Sequence, residues 1–366
     1  MKRLKPSQHD YQKCEPRLCL TVAVGVHHGS MVVHGHADGT VEVVAAGQQS
    51  YTVTDNGVDI GTFDHVHHCL RVDLDRNEAA DANADSVSIE LRDQQIHNIM
   101  VMLGHGDNDF QISGERAVDR VMYRGASGND NMTVNVNTRF MTDGMLGGGD
   151  NNMEVNSHAN RVRLRTGHGA DSFTSNTDAA VVTAVMGHGA NNFDVNGNVH
   201  HHMFFRGGND SDTVDVSDNT HTHGSVAMNF GHGDNVVNYG GRVDGHLRFR
   251  GGDGSDVINM GASSFVGHHA GIVLGGGDNT YNIDGDFRHG LFMRGEDGND
   301  DVNLAETLEV GWSVSAVLGD GENTLNHDGM IHHNLWAVSK NADDVFTVDG
   351  TVEGRTHLDP GGQKGG

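Results

Sequence analysis

Between Pro16 and Pro360 the sequence has no proline, and the 366-residue chain has only 3 in all. Its 3 cysteines, Cys14, Cys19 and Cys69, are too few to staple a chain of this length, which excludes a disulfide scaffold. Basic residues number 24 against 50 acids, a formal charge of −26, so no basic face is available to displace counterions from nucleic acid. No apolar run approaches the ~18 residues of a membrane-spanning helix. Nor does any stretch sustain the i, i+3, i+4 apolar pattern of a long helix. What the chain has instead is glycine, 52 residues, about twice the average usage and without the strict third-position period of collagen. Low apolar content with many acids is the composition of disordered chains. The order of the residues is not. A long proline-free stretch suits a backbone whose N–H groups are committed to ladders.

Glycine-rich turns recur from Gly104 to Gly319, and from Gly187 onward they open alternately 20 and 24 residues apart, a 44-residue pair. Aligning them exposes one column: Asn108, Asp130, Asn151, Asp171, Asn191, Asp212, Asn235, Asp256, Asn279, Asp300, Asn323 and Asp344, with Asp85 one step earlier. Asn and Asp alternate without a break. Two residues after each member stands an apolar residue, from Phe110 and Met132 to Leu325 and Phe346, and two further on the position is again mostly apolar. This period of 2 marks a short strand with one face inward. A second strand precedes each turn, as in His246 to Arg250, and a variable corner between the strands absorbs the length difference.

A unit of this size cannot close a core alone, but stacked on its neighbours it forms a parallel β-solenoid. The expected fold is therefore all-β, a parallel β-helix of about 13–15 coils of 20–24 residues with a β-rich N-terminal cap. At ~4.8 Å per coil the thirteen coils from Asp85 make a rod roughly 60 Å long. Residues 20–80 read as cap or first coils, 81–358 as the repeat domain and 359–366 as a flexible tail, with the last coil fading after Val348. Within the cap, turns at Asp38-Gly39 and Asn56-Gly57 separate strands, and Asn-Gly between two such runs is a hairpin signal.

The run Gly251-Gly252-Asp253-Gly254-Ser255-Asp256-Val257-Ile258-Asn259 resembles the calcium-binding nonapeptide of RTX-type β-rolls. Gly295 to Asp300 is similar, with Glu296 at the second glycine. The resemblance implies calcium as cofactor, held by turn carbonyls and the carboxylates of Asp107, Asp130, Asp150, Asp171, Asp212, Asp234, Asp253, Asp256, Asp278, Asp297, Asp300 and Asp344. The motif recurs once per coil, whereas RTX nonapeptides follow one another directly. The column also has a reading without metal. Aspartates two coils apart, ~9.6 Å, repel by about 1.7 kcal/mol at an effective dielectric of 20. An interposed Asn halves the charge density and can donate to one neighbour while accepting from the other. The two readings coexist.

Histidine numbers 27. A zinc or nickel site needs three or four converging ligands. His200, His201, His202, His221 and His223 lie on adjacent coils, yet solvated corner residues are the plainer reading. Full protonation would nearly cancel the −26, so aggregation or surface sticking is expected near pH 5. Arg161, Arg163 and Arg165, with Arg248 and Arg250, alternate outward and read as neutralising nearby acidic turns.

Residues 1–13 are basic and polar, with no apolar core of a standard secretory signal behind them. The following Cys14-Glu15-Pro16-Arg17-Leu18-Cys19-Leu20 resembles the LEPR-XLL segment near the start of large exported and surface proteins of planctomycete bacteria. Cysteines stand where that family usually has leucine. The resemblance makes 1–19 an export or sorting segment and implies an extracellular or cell-surface location. No catalytic constellation stands out, and repetition argues against an active site, which breaks symmetry at one place. The expectation is a non-enzymatic structural or adhesive surface module, with cell-surface or matrix polysaccharide or neighbouring surface proteins as partners. The alternative is a β-helix that binds or cleaves an acidic glycan.

Overall fold

A computed structural model describes residues 22–35, 39–74, 84–341 and 343–361, and among them every regular element is a β-strand. The segment 1–19, with its Glu-Pro-Arg match, Cys14 and Cys19, lies outside the described residues, as do Asp38 and most of the tail. The chain is a parallel β-solenoid. Its strands form two sheets, of 23 and 16 strands among the described residues. One sheet collects the strands that precede the turns, the other those that follow them.

The register is that of stacked identical positions. Phe110 pairs with Met132, Met132 with Met153, Met153 with Phe173 and Phe173 with Phe193, and the same column runs on through Val214, Val237, Ile258, Tyr281, Val302 and Leu325 to Phe346. Alternation places these side chains inside, and all but Phe346 are fully buried. Rings meet through the core, Phe173 stacked on Phe193 at 5.4 Å and Phe193 tilted against Phe205 at 5.1 Å. Each coil thus buries its apolar face only against its neighbours.

The open N-terminal edge is closed by antiparallel strands. Here β1 (Val22–His27) and β2 (Ser30–Gly35) form a hairpin, and β3 (Thr40–Gly47), β4 (Ser50–Asp55) and β5 (Val58–Phe63) a meander. The expected Asn56-Gly57 turn is present, with φ of 50° and 75°, the left-handed values that Asn and Gly accept. The cap then joins the solenoid in parallel, β2 to β6 (Cys69–Asp73) and β3 to β7 (Ser86–Glu90). At the other end the final coil does not fade after Val348. It continues through Thr351–Val352 and Thr356–Asp359, both paired in register to the coil before.

The two-coil repeat has two physical sources. First, the coils of Asp212, Asp256 and Asp300 insert a short turn at the first corner, where Thr220 N–H donates to Ser217 C=O at 2.9 Å, Ser264 to Gly261 at 2.9 Å and Leu308 to Ala305 at 3.0 Å. The Asn coils cross the same corner directly, as at Gly240-Gly241. Second, the register slips by one residue before the turn, between Arg124 and Gly125 and again between Asn229 and Gly231. The Asn coils use that residue to bury one more side chain, Leu103, Leu146, Met186, Phe230, Leu274 or Leu318. The 20 and 24 spacing is therefore a corner insertion plus a bulge, and not a corner effect alone. From His221 onward the strand before each turn is also split in two, as His221–Thr222 and Val226–Gly231.

Candidate functional site

The turn column is a continuous hydrogen-bonded ladder. From Asp85 to Asn323 the backbone N–H of every member donates to Oδ1 of the next. Each Asn from Asn108 to Asn279 also donates from Nδ2 to Oδ1 of the following Asp, at 2.7 to 2.8 Å. The same amide reaches the carbonyl two residues back in its own turn, Gly233 for Asn235 at 2.8 Å. Asn accepts with one end and donates with the other, whereas Asp only accepts. That difference is what alternation exploits.

The second carboxylate oxygen has a different fate. In Asp130, Asp212, Asp256 and Asp300 Oδ2 is buried without a hydrogen-bond partner. It lies against the glycine five residues earlier, where a Cβ on Gly125, Gly207, Gly251 or Gly295 would fall 1.6 to 1.8 Å from it. Asp344 instead meets Ser339 Oγ. Burial, only partly offset by the Asn donors, pushes the carboxyls of Asp130, Asp212, Asp256 and Asp300 up to about 6, and that of Asp171 in the same direction.

A second ladder runs beside the first in the opposite sense. One residue before the column, Asn129 N–H donates back to Asp107, Asp150 to Asn129, Ala170 to Asp150, Ser255 to Asp234, Asn299 to Asp278 and Glu322 to Asn299, each at 2.7 Å. Acids in this exposed column accompany Asn in the buried one at Asp107, Asp150, Asp234, Asp278 and Glu322, and neutral residues accompany Asp, as Asn129 and Ser255 do. The charges form a checkerboard. Ala190 and Asp343 are its exceptions.

The acids expected to bind calcium thus fall into two sets. Asp130, Asp171, Asp212, Asp256, Asp300 and Asp344 are buried ladder members, while Asp107, Asp150, Asp234, Asp278, Asp253 and Asp297 are exposed. Among the described residues their carboxylates are not brought together in threes. The group whose ligand atoms all lie within 4.8 Å of one another is His221, His223 and Asp244. His221 and His223 flank the buried Thr222, and Asp244 follows on the next coil beside them. Asp244 Oδ2 is 2.8 Å from His221 Nε2 and 3.2 Å from His223 Nδ1. Sequence reasoning found the two histidines and missed Asp244, although the coil length sets 244 against 223.

The outward arginines do not all serve the turns. Arg163 forms a two-pronged pair with Asp143 on the adjacent strand, which holds its guanidinium pKa above the ordinary value. On the C-terminal coils an aromatic strip is exposed. Phe292, Ser315, Trp336 and His357 occupy one outward column in register, preceded by Arg248 and Gly271. Trp336 is 49 % exposed, and its ring lies 4.2 Å from that of His357. Beside this column Trp312, 53 % exposed, lies tilted against His333 with ring centroids 4.0 Å apart. Arg248, Gly271 and Phe292 line a shallow depression of about 350 Å³. Comparison with protein-family models, curated proteins and solved structures returns no match.

Proposed function

We propose that this chain is a non-enzymatic, extracellular structural or adhesive module, a stiff solenoid that docks polysaccharide of the cell surface or matrix on its C-terminal outer face. The observation that carries this reading is the column Phe292, Ser315, Trp336, in which large rings alternate with a small residue. The rings therefore stand two coils apart, ~9.6 Å. Alternate sugars of an extended β-linked chain recur at a similar interval, and flat rings stack on sugar faces. Phe292 is 39 % and Trp336 49 % exposed, which leaves ring surface open to a ligand. The ladder supplies the stiffness, since each coil repeats the same side-chain bonds to the next.

Calcium belongs to this proposal as a stabiliser of the exposed turn acids Asp107, Asp150, Asp234, Asp278, Asp253 and Asp297, with turn carbonyls completing the oxygen set. Thermal melting with calcium and with chelator tests it: a rise of several degrees is expected, and superimposable curves would leave the amide ladder as the sole stabiliser.

Docking is tested by co-sedimentation with insoluble polysaccharides. Wild type should pellet with at least one of them, and Trp336→Ala with Phe292→Ala should remain in solution at unchanged melting temperature. Equal retention of both proteins rejects the reading. Arg248 at the edge of the depression favours a second one, an acidic glycan that is bound or cleaved. Retention restricted to acidic polymers, or release of shorter fragments, would identify it.

A further inference from the structure

We propose that His221, His223 and Asp244 bind a divalent transition-metal ion of the zinc or nickel class, which clips together the first two coils that carry a separate corner strand.

The three ligand atoms already converge. A tetrahedral ion with bonds of about 2.0–2.2 Å separates its ligands by roughly 3.4 Å. Asp244 Oδ2 lies 2.8 Å from His221 Nε2 and 3.2 Å from His223 Nδ1. All three ligand atoms lie within 4.8 Å of one another, so closure on an ion asks for side-chain adjustment of about an ångström. Imidazole nitrogen selects zinc, nickel or copper over calcium, which takes oxygen ligands.

The surroundings orient the carboxylate as an outer partner of a metal site does. Its other oxygen, Oδ1, accepts from Arg242 Nε at 2.8 Å and Nη2 at 2.7 Å. That guanidinium is in turn held over the Phe265 ring at 3.9 Å. Oδ2 is left facing the two histidines.

Hydrogen bonds and an ion would use the same atoms. With its proton on Nε2, His221 donates to Asp244 Oδ2 at 2.8 Å while Arg242 Nε–H donates to Oδ1 at 2.8 Å. A cation between His221, His223 and Asp244 takes the place of the imidazole protons, and both nitrogens and Oδ2 then present lone pairs to it. The Arg242 charge opposes a dication and limits its affinity.

The site also sits where a clip is useful. His221–Thr222 is the first separate corner strand, and its partner Arg242–Val243 belongs to the next coil. Thr222 and Val243 are buried between the two, so an ion outside them ties the coils at the point where the strand before the turn divides.

Cobalt titration of the intact chain followed by visible absorption, with zinc competition, tests the assignment. Wild type should take up one ion per chain with the intense spectrum of a tetrahedral site, displaced by zinc. His221→Ala/Asp244→Ala should lose that signal, and so should His223→Ala alone. The control His246→Ala/His269→Ala should keep it. Far-UV circular dichroism without metal checks that each variant folds. Loss of the signal in the control but not in His221→Ala/Asp244→Ala, or equal binding by all variants, would mean scattered surface histidines and overturn the proposal.

Discussion

Asp256 Oδ1 receives two donors from one residue of the preceding coil, Asn235 Nδ2 at 2.7 Å and the Asn235 backbone N–H at 3.0 Å. Replacing Asn235 by Asp keeps the shape and removes the donor. It also sets a third buried carboxylate between Asp212 and Asp256. Asn235→Asp should destabilise the protein by ~3 kcal/mol at pH 7, from an unmet buried acceptor and like-charge repulsion. The loss should shrink at pH 4, where the added acid is protonated. Urea unfolding at both pH values measures it, and an equal loss at each would assign the effect to shape.

Two glycines separate close packing from conformational freedom. A Cβ on Gly207 would lie 1.6 Å from Asp212 Oδ2 and 2.8 Å from the Phe230 carbonyl, whereas one on Gly271 meets nothing within 4 Å. Gly207→Ala should cost ~2–3 kcal/mol, as an overpacked core does. Gly271→Ala should be neutral or gain about 0.5 kcal/mol by restricting the unfolded chain. Melting curves of the pair decide this, and similar curves would mean that the Gly207 cradle yields easily.

The ladder aspartates give stability a pH dependence of unusual sign. With folded carboxyls near 6 and unfolded ones near the ordinary 3.8, the native chain binds protons more tightly between those values. Their contribution is fully present below about pH 4 and is lost as pH rises through 6. Unfolding free energy should therefore increase from pH 7.5 to pH 5, by ~2–4 kcal/mol over the four groups after allowance for their coupling. Stability that falls over this window in a His327→Leu background would refute the shifted carboxyls. Light scattering over the same range tests the aggregation expected from histidine protonation, since a tighter fold and a less soluble surface are compatible.

His327 works against that trend. It fills an inward position between Leu304 and Val348, fully buried, and neither ring nitrogen meets a hydrogen-bond partner. Burial holds its pKa below 6.5, so the stability of its neutral form is lost as pH falls below the unfolded value. His327→Leu should stabilise by ~1–2 kcal/mol at pH 7.5 and by more at pH 5.5. Differential scanning calorimetry at the two pH values reads both, and a smaller gain in acid would show that the ring is solvated.

The solenoid was legible because its two signals reinforce each other, a polar residue fixed at the turn and apolar residues two and four places on. The ladder was legible too, since the amide can both donate and accept where the carboxylate only accepts. The bulge before Gly104 and Gly231 was not, because slipping one residue between strand and turn leaves the apolar alternation intact on either side. The hairpin at His28-Gly29 carries no Asn-Gly mark, though His28 takes a φ of 48°. Asp143 and Asp244 lie off the turn column, and their partners come from neighbouring coils. Only the true coil length, which the Gly openings misstate by one residue in alternate turns, sets Asp244 against His223.

The strict alternation of amide and acid also governs how such a chain can grow. Excising one coil would bring acid onto acid or amide onto amide at the junction, but excising or copying the 44 residues from Asp212 to Ser255 rejoins unlike neighbours. Length is therefore quantised in steps of ~9.6 Å. Unequal recombination between repeats in the coding DNA keeps every bond in the turn only when it adds or removes coils in even numbers, so descendants of this chain that differ in reach by whole pairs of rungs lose none of them.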